Sequence, residues 1–216
     1  MPVIDLSFGL LGDTLPADHG YSLFSAICRV VPSVHSDETL GIHPISGKLI
    51  GNRLLALIPS SRLTFRIPSE RTALLVTLAG KTLHVEGHAV RVGMPHARAL
   101  QPSLEVVSRL VTIAGFMEPN TFLEAVERQL KEMSIVGEPQ ILKRTAHVSL
   151  EGGKGANPTS IFVRRTLKIQ DQEVVGFALK VTSLSPTDSI KLQEQGLGGR
   201  RRFGCGIFVP EWKKAG

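Results

Sequence analysis

Two stretches of the chain carry the same succession of hydrophobic periods, and a recurring succession restricts the fold more than any single motif does. In the first, Val3, Ile4, Leu6 and Phe8 are interrupted by Asp5 and Ser7, the period-two pattern of a strand with one buried face. Tyr21, Phe24, Ile27, Cys28 and Val31 then recur at the three-and-four spacing of an amphipathic helix, with Asp18 placed to cap it and Pro32 to end it. Residues 54–58 read as a buried strand, and Leu63, Phe65 and Ile67 as one face of a half-buried strand. Ser69 is expected to cap a second helix over 70–79, closed at Gly80. Short strands around 83–85 and 89–92 complete the first unit.

Residues 95–102 have the composition of a linker, and beyond them the order recurs. A strand fits 106–113, and Asn120 is an N-cap for a helix with Phe122, Val126, Leu130 and Met133 on one face. Strands fit 141–150, 161–169 and 174–181. Ser185-Pro186-Thr187-Asp188 is a helix start, with a serine cap, proline at the first helical position and an acid three residues past the cap. That helix ends at Gly196, and 205–209 make a last strand. Each half thus reads strand, helix, strand, strand, helix, strand. The expected class is α+β: two tandem ferredoxin-like (RRM-like) βαββαβ domains over 1–97 and 103–216, with a C-terminal glycine-rich loop. A length of 216 residues suits two such domains, and 42% hydrophobic residues supply their cores.

The 25 Lys and Arg against 19 Asp and Glu give a net charge of +6, which favours a polyanionic partner. Cys28 and Cys205 are far apart and form no CxxC pair, so neither a disulfide framework nor a thiolate metal site is expected. The N-terminus has no basic lead into an apolar stretch, and no apolar run approaches the roughly 18 residues of a membrane span. A cytoplasmic protein with no membrane partner is the expectation.

Five glycines fall within residues 196–206: Gly196, Gly198, Gly199, Gly204 and Gly206. Glycine permits positive φ and lets backbone N–H groups surround a phosphate as a nest. Arg200, Arg201 and Arg202 lie inside this stretch, and their guanidinium forks match phosphate oxygens. A flexible hairpin with solvated arginines is the competing reading. A nucleotide-binding Walker loop is excluded, because no Gly-Lys-Ser/Thr end is present and the loop leads into a strand. Arg164 and Arg165, with Lys154 in the loop Glu151-Gly152-Gly153-Lys154-Gly155, form a second basic patch. Aromatic residues are few, 1 Trp, 1 Tyr and 9 Phe, which argues against an open sheet that stacks successive bases.

The run Gly176-Phe177-Ala178-Leu179-Lys180-Val181, followed by Leu184-Ser185 and the stretch from Leu192 through the glycine loop to Pro210, resembles the C-terminal signature of CRISPR-associated RAMP proteins. More narrowly it resembles the Cas6 family of repeat-processing endoribonucleases, in the branch first defined from myxobacterial-type loci. Leu15-Pro16-Ala17-Asp18-His19-Gly20-Tyr21 and Gly41-Ile42-His43-Pro44-Ile45-Ser46-Gly47 are similar to the same branch, so the resemblance touches both halves. It implies two ferredoxin-like domains, binding of CRISPR repeat RNA, and cleavage without metal or cofactor. The cleavage is by 2′-hydroxyl attack, leaving a 2′,3′-cyclic phosphate and a 5′-hydroxyl. It also implies retention of the product crRNA with other Cas subunits in an effector complex.

Such cleavage needs a base, an acid and cationic help for the phosphorane, and imidazole suits either proton role. The resemblance puts the catalytic histidine in or just after the first helix, which makes His35 the first choice and His43 the second. His19 and Tyr21 at the helix start, and Lys48 beyond His43, are further candidates, with Tyr21 to position the nucleophile or a phosphate and Lys48 to offset charge. Two other classes stay open: a non-catalytic RNA-binding RAMP subunit, and a small phosphate-ligand-binding protein.

Overall fold

The structure is a computed structural model that describes residues 1–147 and 158–211. Its first unit contains β1 (Val3–Leu11), β2 (Thr14–Pro16), α1 (Gly20–Val30), β3 (Gly41–Ile42), β4 (Lys48–Gly51), β5 (Leu54–Ala56), β6 (Arg62–Pro68), α2 (Thr72–Val76), β7 (Thr82–Val85) and β8 (His88–Ala99). The second contains β9 (Val106–Val111), α3 (Pro119–Glu132), β10 (Glu138–Ile141), β11 (Lys143–His147), β12 (Pro158–Phe162), β13 (Arg164–Ile169), β14 (Gln172–Thr182), α4 (Pro186–Gln195) and β15 (Val209–Pro210).

The main sheets have the orders β3-β6-β1-β8-β7 and β10-β14-β9-β15, with antiparallel pairing throughout. Both are the split βαβ arrangement, with the first strand of each unit held inside the sheet, β1 between β6 and β8 and β9 between β14 and β15. In the first sheet Leu6 is opposite Phe65 and Phe8 opposite Leu63, so period two puts all four on the face that meets α1. All four are at most 1% exposed, and each contributes on the order of 1.5–3 kcal/mol by burial. The opposite face carries Asp5 and Ser7 of β1, Thr64 and Arg66 of β6, and His96 and Arg98 of β8. None of these six residues is Phe, Tyr or Trp. The second unit has its own core, with Phe122, Val126 and Leu130 of α3 against Phe177, Leu179 and Val181 of β14.

Several local expectations are corrected. Residues 95–99 are not linker: β8 continues through Pro95 to Ala99, pairing with β1 along its length. Its β7 partner ends at the residue opposite Arg91, so β8 is an edge at Pro95, where a missing N–H is tolerated. Asp18 does not cap α1; the N-cap is His19, without a side-chain cap. The second helix is only α2, preceded by a 3-10 turn over Ser69–Arg71, with Leu78 and Ala79 held by tighter i→i+3 bonds. Asn120 lies inside α3, because Pro119 takes the first helical position after Glu118. The strand expected over 141–150 breaks at Leu142, and that over 161–169 breaks at Val163. Between these breaks the hairpin β11–β12 leaves the sheet, and residues 148–150 lie outside the described residues. The last strand is only β15.

Candidate nucleic-acid interface

Ser185 caps α4 as its spacing requires, its Oγ accepting the Asp188 N–H at 3.1 Å. Gly196, at φ +71°, ends the helix, and the glycine loop then folds back between the two units. Three of its glycines, Gly196, Gly198 and Gly206, serve backbone packing. A Cβ on Gly198 would strike the Thr112 carbonyl, one on Gly206 the Leu197 carbonyl, and one on Gly196 the Gly206 carbonyl. The loop N–H groups are likewise engaged within the fold. Gly198 donates to Gln129 Oε1 at 2.9 Å, Gly199 to the Thr112 carbonyl at 3.0 Å, and Gly206 to the Leu110 carbonyl at 2.7 Å. The phosphate-nest reading of these glycines is therefore revised: they let the chain pass close to β9 and present what lies between them.

What lies between them is Arg200 to Phe203. Arg200 is exposed at the tip in the left-handed region, φ +66°. Arg201 points inward beside Arg66; burial and that neighbouring charge pull its pKa down to about 10. Its Nε and Nη2 have no hydrogen-bond partner among the described residues. Arg202 reaches the first unit, where Nη1 donates to the His35 carbonyl and the guanidinium sits 5.3 Å from the centroid of Phe24. Phe203 packs edge-on against Tyr21 and Phe24 at 5.6 and 5.4 Å.

These contacts gather three of the sequence candidates around one aromatic pair. His35 is exposed in a 3-10 turn, Pro32–Ser36, that follows α1, with its ring centroid 6.1 Å from that of Phe24. Tyr21 is half-exposed one turn earlier on the helix face, and its hydroxyl accepts from Gln170 Nε2 at 3.1 Å. Arg202 joins them from the loop.

The remaining candidates stand apart. His19 is 2% exposed: Nδ1–H donates to the Pro16 carbonyl at 2.8 Å, and Nε2 accepts from the Ile45 N–H at 3.0 Å. Both ring nitrogens are thus occupied by the neutral tautomer, and burial lowers its pKa. His19 anchors the start of α1 rather than carrying protons. His43 Nε2–H meets Asp5 Oδ1 at 3.2 Å, while Asp5 also takes a two-point contact from Arg66, at 2.8 and 2.9 Å. Burial lowers the His43 pKa, against the pull of Asp5. The Asp5 carboxylate is held well below its usual range: burial opposes this, but the contacts with His43 and Arg66 outweigh it. Arg66 is 1% exposed and also donates to the Gln193 carbonyl at 3.0 Å and to that of Phe208, so it ties the units together. Lys48 is exposed in β4, in the small sheet β2-β5-β4. Among the described residues, no three His, Cys, Asp or Glu gather in a metal-binding cluster.

A cleft of about 310 Å³ opens where α1 meets the second unit, with Arg164 and Arg165 on its rim. Arg53 and Arg109, which the sequence reading passed over, complete four arginines against one acid, Asp18. Asp18 is already engaged: Oδ2 accepts the Lys168 N–H at 2.8 Å and lies 4.0 Å from Arg53. Lys154 lies outside the described residues. The signal for Arg109 was faint, a cation between Ser108 and Leu110 in an otherwise apolar strand.

The fold is shared with solved RAMP-type structures at low sequence identity. One is a RAMP protein binding different RNA substrates, with TM-score 0.67 and 14% identity, covering 95% of this chain and 98% of that one. Another is a Cas6-related protein from Pyrococcus furiosus, with TM-score 0.66 and 11% identity, covering 98% of this chain and 100% of that one. The Cas6 (Cas6 Crispr) family model matches residues 4–213, and the chain belongs to that family. A CRISPR-associated endonuclease Cas6 of Myxococcus xanthus strain DK1622 is 33% identical over 215 residues, covering 100% of this chain and 84% of that protein. The myxobacterial affinity expected from the motifs is thereby borne out. No helix among the described residues is long and apolar enough to cross a membrane.

Proposed function

We propose that the chain is an endoribonuclease that cuts CRISPR repeat RNA without metal, from the edge where His35, Tyr21 and Arg202 stand around Phe24 and Phe203. The observation that carries this reading is the Arg202 contact to the His35 carbonyl, which brings a loop cation beside an exposed imidazole. His35 takes the proton of the 2′-hydroxyl, and the 2′-oxygen attacks the adjacent phosphorus. The bond from phosphorus to the 5′-oxygen breaks, and that oxygen acquires a proton from the Tyr21 hydroxyl or a water it holds. Arg202, with Arg200 nearby at the tip, offsets the charge gathering on the phosphorane, the part first assigned to Lys48. The products carry a 2′,3′-cyclic phosphate and a 5′-hydroxyl. Arg164, Arg165 and Lys154 grip flanking backbone, and the cut RNA stays bound for assembly with other Cas subunits. Cys28 and Cys205 are both free thiols, which fits a reducing cytoplasm.

A second reading places the chemistry at His43, where Asp5 fixes the imidazole tautomer as a base-orienting carboxylate does. The engagement of Asp5 by Arg66 ranks it second, as the pair belongs to the bond between units. Incubating 5′-labelled repeat RNA with the protein in excess EDTA tests the function. A single cut with a cyclic phosphate end is expected. Tight binding with no cut would leave a non-catalytic RNA-binding subunit, and dependence on added divalent ion would refute the metal-free step.

A further inference from the structure

The arginine-lined cleft is separate from the His35 edge, yet shares Phe203 with it as a wall. Its volume, about 310 Å³, sits at the lower end of the roughly 300–1,000 Å³ of small-ligand sites. Its lining is divided by chemistry. Leu23, Leu167 and Phe203 supply an apolar wall, while Arg53, Arg109, Arg164 and Arg165 supply charge. Among the described residues, one acid, Asp18, lines the cleft against these four arginines. Arg109 holds its proton less firmly than usual, because surrounding protein displaces water from it and Arg165 repels it. Asp18 is itself tied to Arg53 and to the Lys168 N–H. Like charges held together at the mouth of an apolar recess leave a place for an anion attached to a flat, apolar body.

We propose that this cleft takes a single nucleotide turned out of the RNA strand, its phosphates on Arg109 and Arg165 and its base against Phe203 and Leu167. The proposal rests on the endoribonuclease reading and adds a subsite to it. The recess holds one base, so it makes the identity of one nucleotide near the cut matter without successive bases stacking on a sheet. The base gains contact with an aromatic edge and aliphatic side chains, and the paired guanidinium groups lose their mutual repulsion as phosphate oxygens come between them.

The test uses synthetic repeat RNAs with 2-aminopurine at one position at a time and a 2′-deoxy sugar at the cut, titrated into the protein. One position near the cut is expected to brighten severalfold on binding, as its base leaves the neighbouring stack. Arg165→Ala, at an exposed residue, and Arg109→Gln should each reduce that response. Each should also weaken RNA affinity about tenfold and lower the salt slope of binding by about one. Deoxy-substituted RNA that binds with no responding position, or a response unchanged in both variants, while the all-ribose repeat is still cut, overturns the nucleotide pocket and leaves the endoribonuclease reading intact. Deoxy-substituted RNA that is not bound, with an all-ribose repeat that is not cut, removes both. AMP alone should not compete at millimolar concentration; tight AMP binding with no effect of RNA would overturn the proposal in favour of a free small ligand.

Discussion

Arg66→Met removes a group that no other residue replaces. Arg66 holds Asp5 by two contacts at 2.8 and 2.9 Å, and on its other side donates to the Gln193 and Phe208 carbonyls of the second unit. Methionine keeps much of the aliphatic packing but leaves a largely buried carboxylate facing only His43. Breaking a buried ion pair from one side costs about 3–5 kcal/mol, and each carbonyl deprived of its donor adds roughly 1 kcal/mol, giving a total of about 4–6 kcal/mol after partial relaxation. At roughly 2–4 °C per kcal/mol for a chain of this size, the melting temperature should fall by about 10–20 °C. The deficit should also depend on pH in a definite direction. Arg66 is one of the charges that hold His43 neutral, so in the variant the imidazole gains proton affinity and forms an ion pair with Asp5. A group whose folded pKa rises stabilises increasingly as pH falls, so the gap to wild type should narrow from about pH 8 to about pH 6. Urea unfolding at several pH values reads both effects. A loss below about 1 kcal/mol, or a gap that widens on acidification, would refute the network.

Three further outcomes follow from the site. Gly206→Ala puts a Cβ against the Leu197 carbonyl at φ +66° and should cost about 2–4 kcal/mol, whereas Gly199→Ala, with open space around it, should stay within about 0.5 kcal/mol; equal effects in urea melts would contradict the packing role of the glycines. The His19 pKa is lowered by burial from 6.5, so its neutral form contributes stability above about pH 6.5 that is lost as pH falls below it. His19→Gln should flatten the acid-side slope of unfolding free energy by up to about 1.4 kcal/mol per pH unit, and an unchanged slope would count against the assignment. Arg200→Ala should weaken RNA binding severalfold with little change in melting temperature, whereas Arg202→Ala should lower both affinity and cleavage, because Arg202 also holds the His35 turn.

Features set by near neighbours were legible in the sequence. The alternation around Leu6 and Phe8 and the Ser185 cap depend on residues within a turn or two, and each appears where the pattern put it, while α1 buries Phe24 and Ile27 as read but fills that face with Leu23 and Ala26. What the pattern missed depends on distant packing. Pro95 looked like a linker because its strand survives only by pairing with β1, far earlier in the chain. Arg66 looked like the solvent side of a half-buried strand because the unit that covers that side comes more than a hundred residues later. The glycine loop was found, but its glycines were assigned to a ligand, whereas Gly196, Gly198 and Gly206 have positive φ and lie against the Gly206, Thr112 and Leu197 carbonyls. His35 and Tyr21 came from family resemblance, and only the fold joins them through Phe24 and Phe203.

The central claim is that cutting is done from the His35 edge by a loop that also holds the strand. Single-turnover cleavage of labelled repeat RNA in EDTA, with affinity measured in parallel for wild type, His35→Ala and His43→Ala, tests it most directly. His35→Ala is expected to bind the RNA as wild type does and to cut it at least 100-fold more slowly, in line with the roughly 10²–10⁴-fold contribution of a proton-transfer group, while His43→Ala keeps substantial cutting. Cleavage at the wild-type rate by His35→Ala, with loss of cutting in His43→Ala, would contradict the account and move the chemistry to the Asp5–His43 pair.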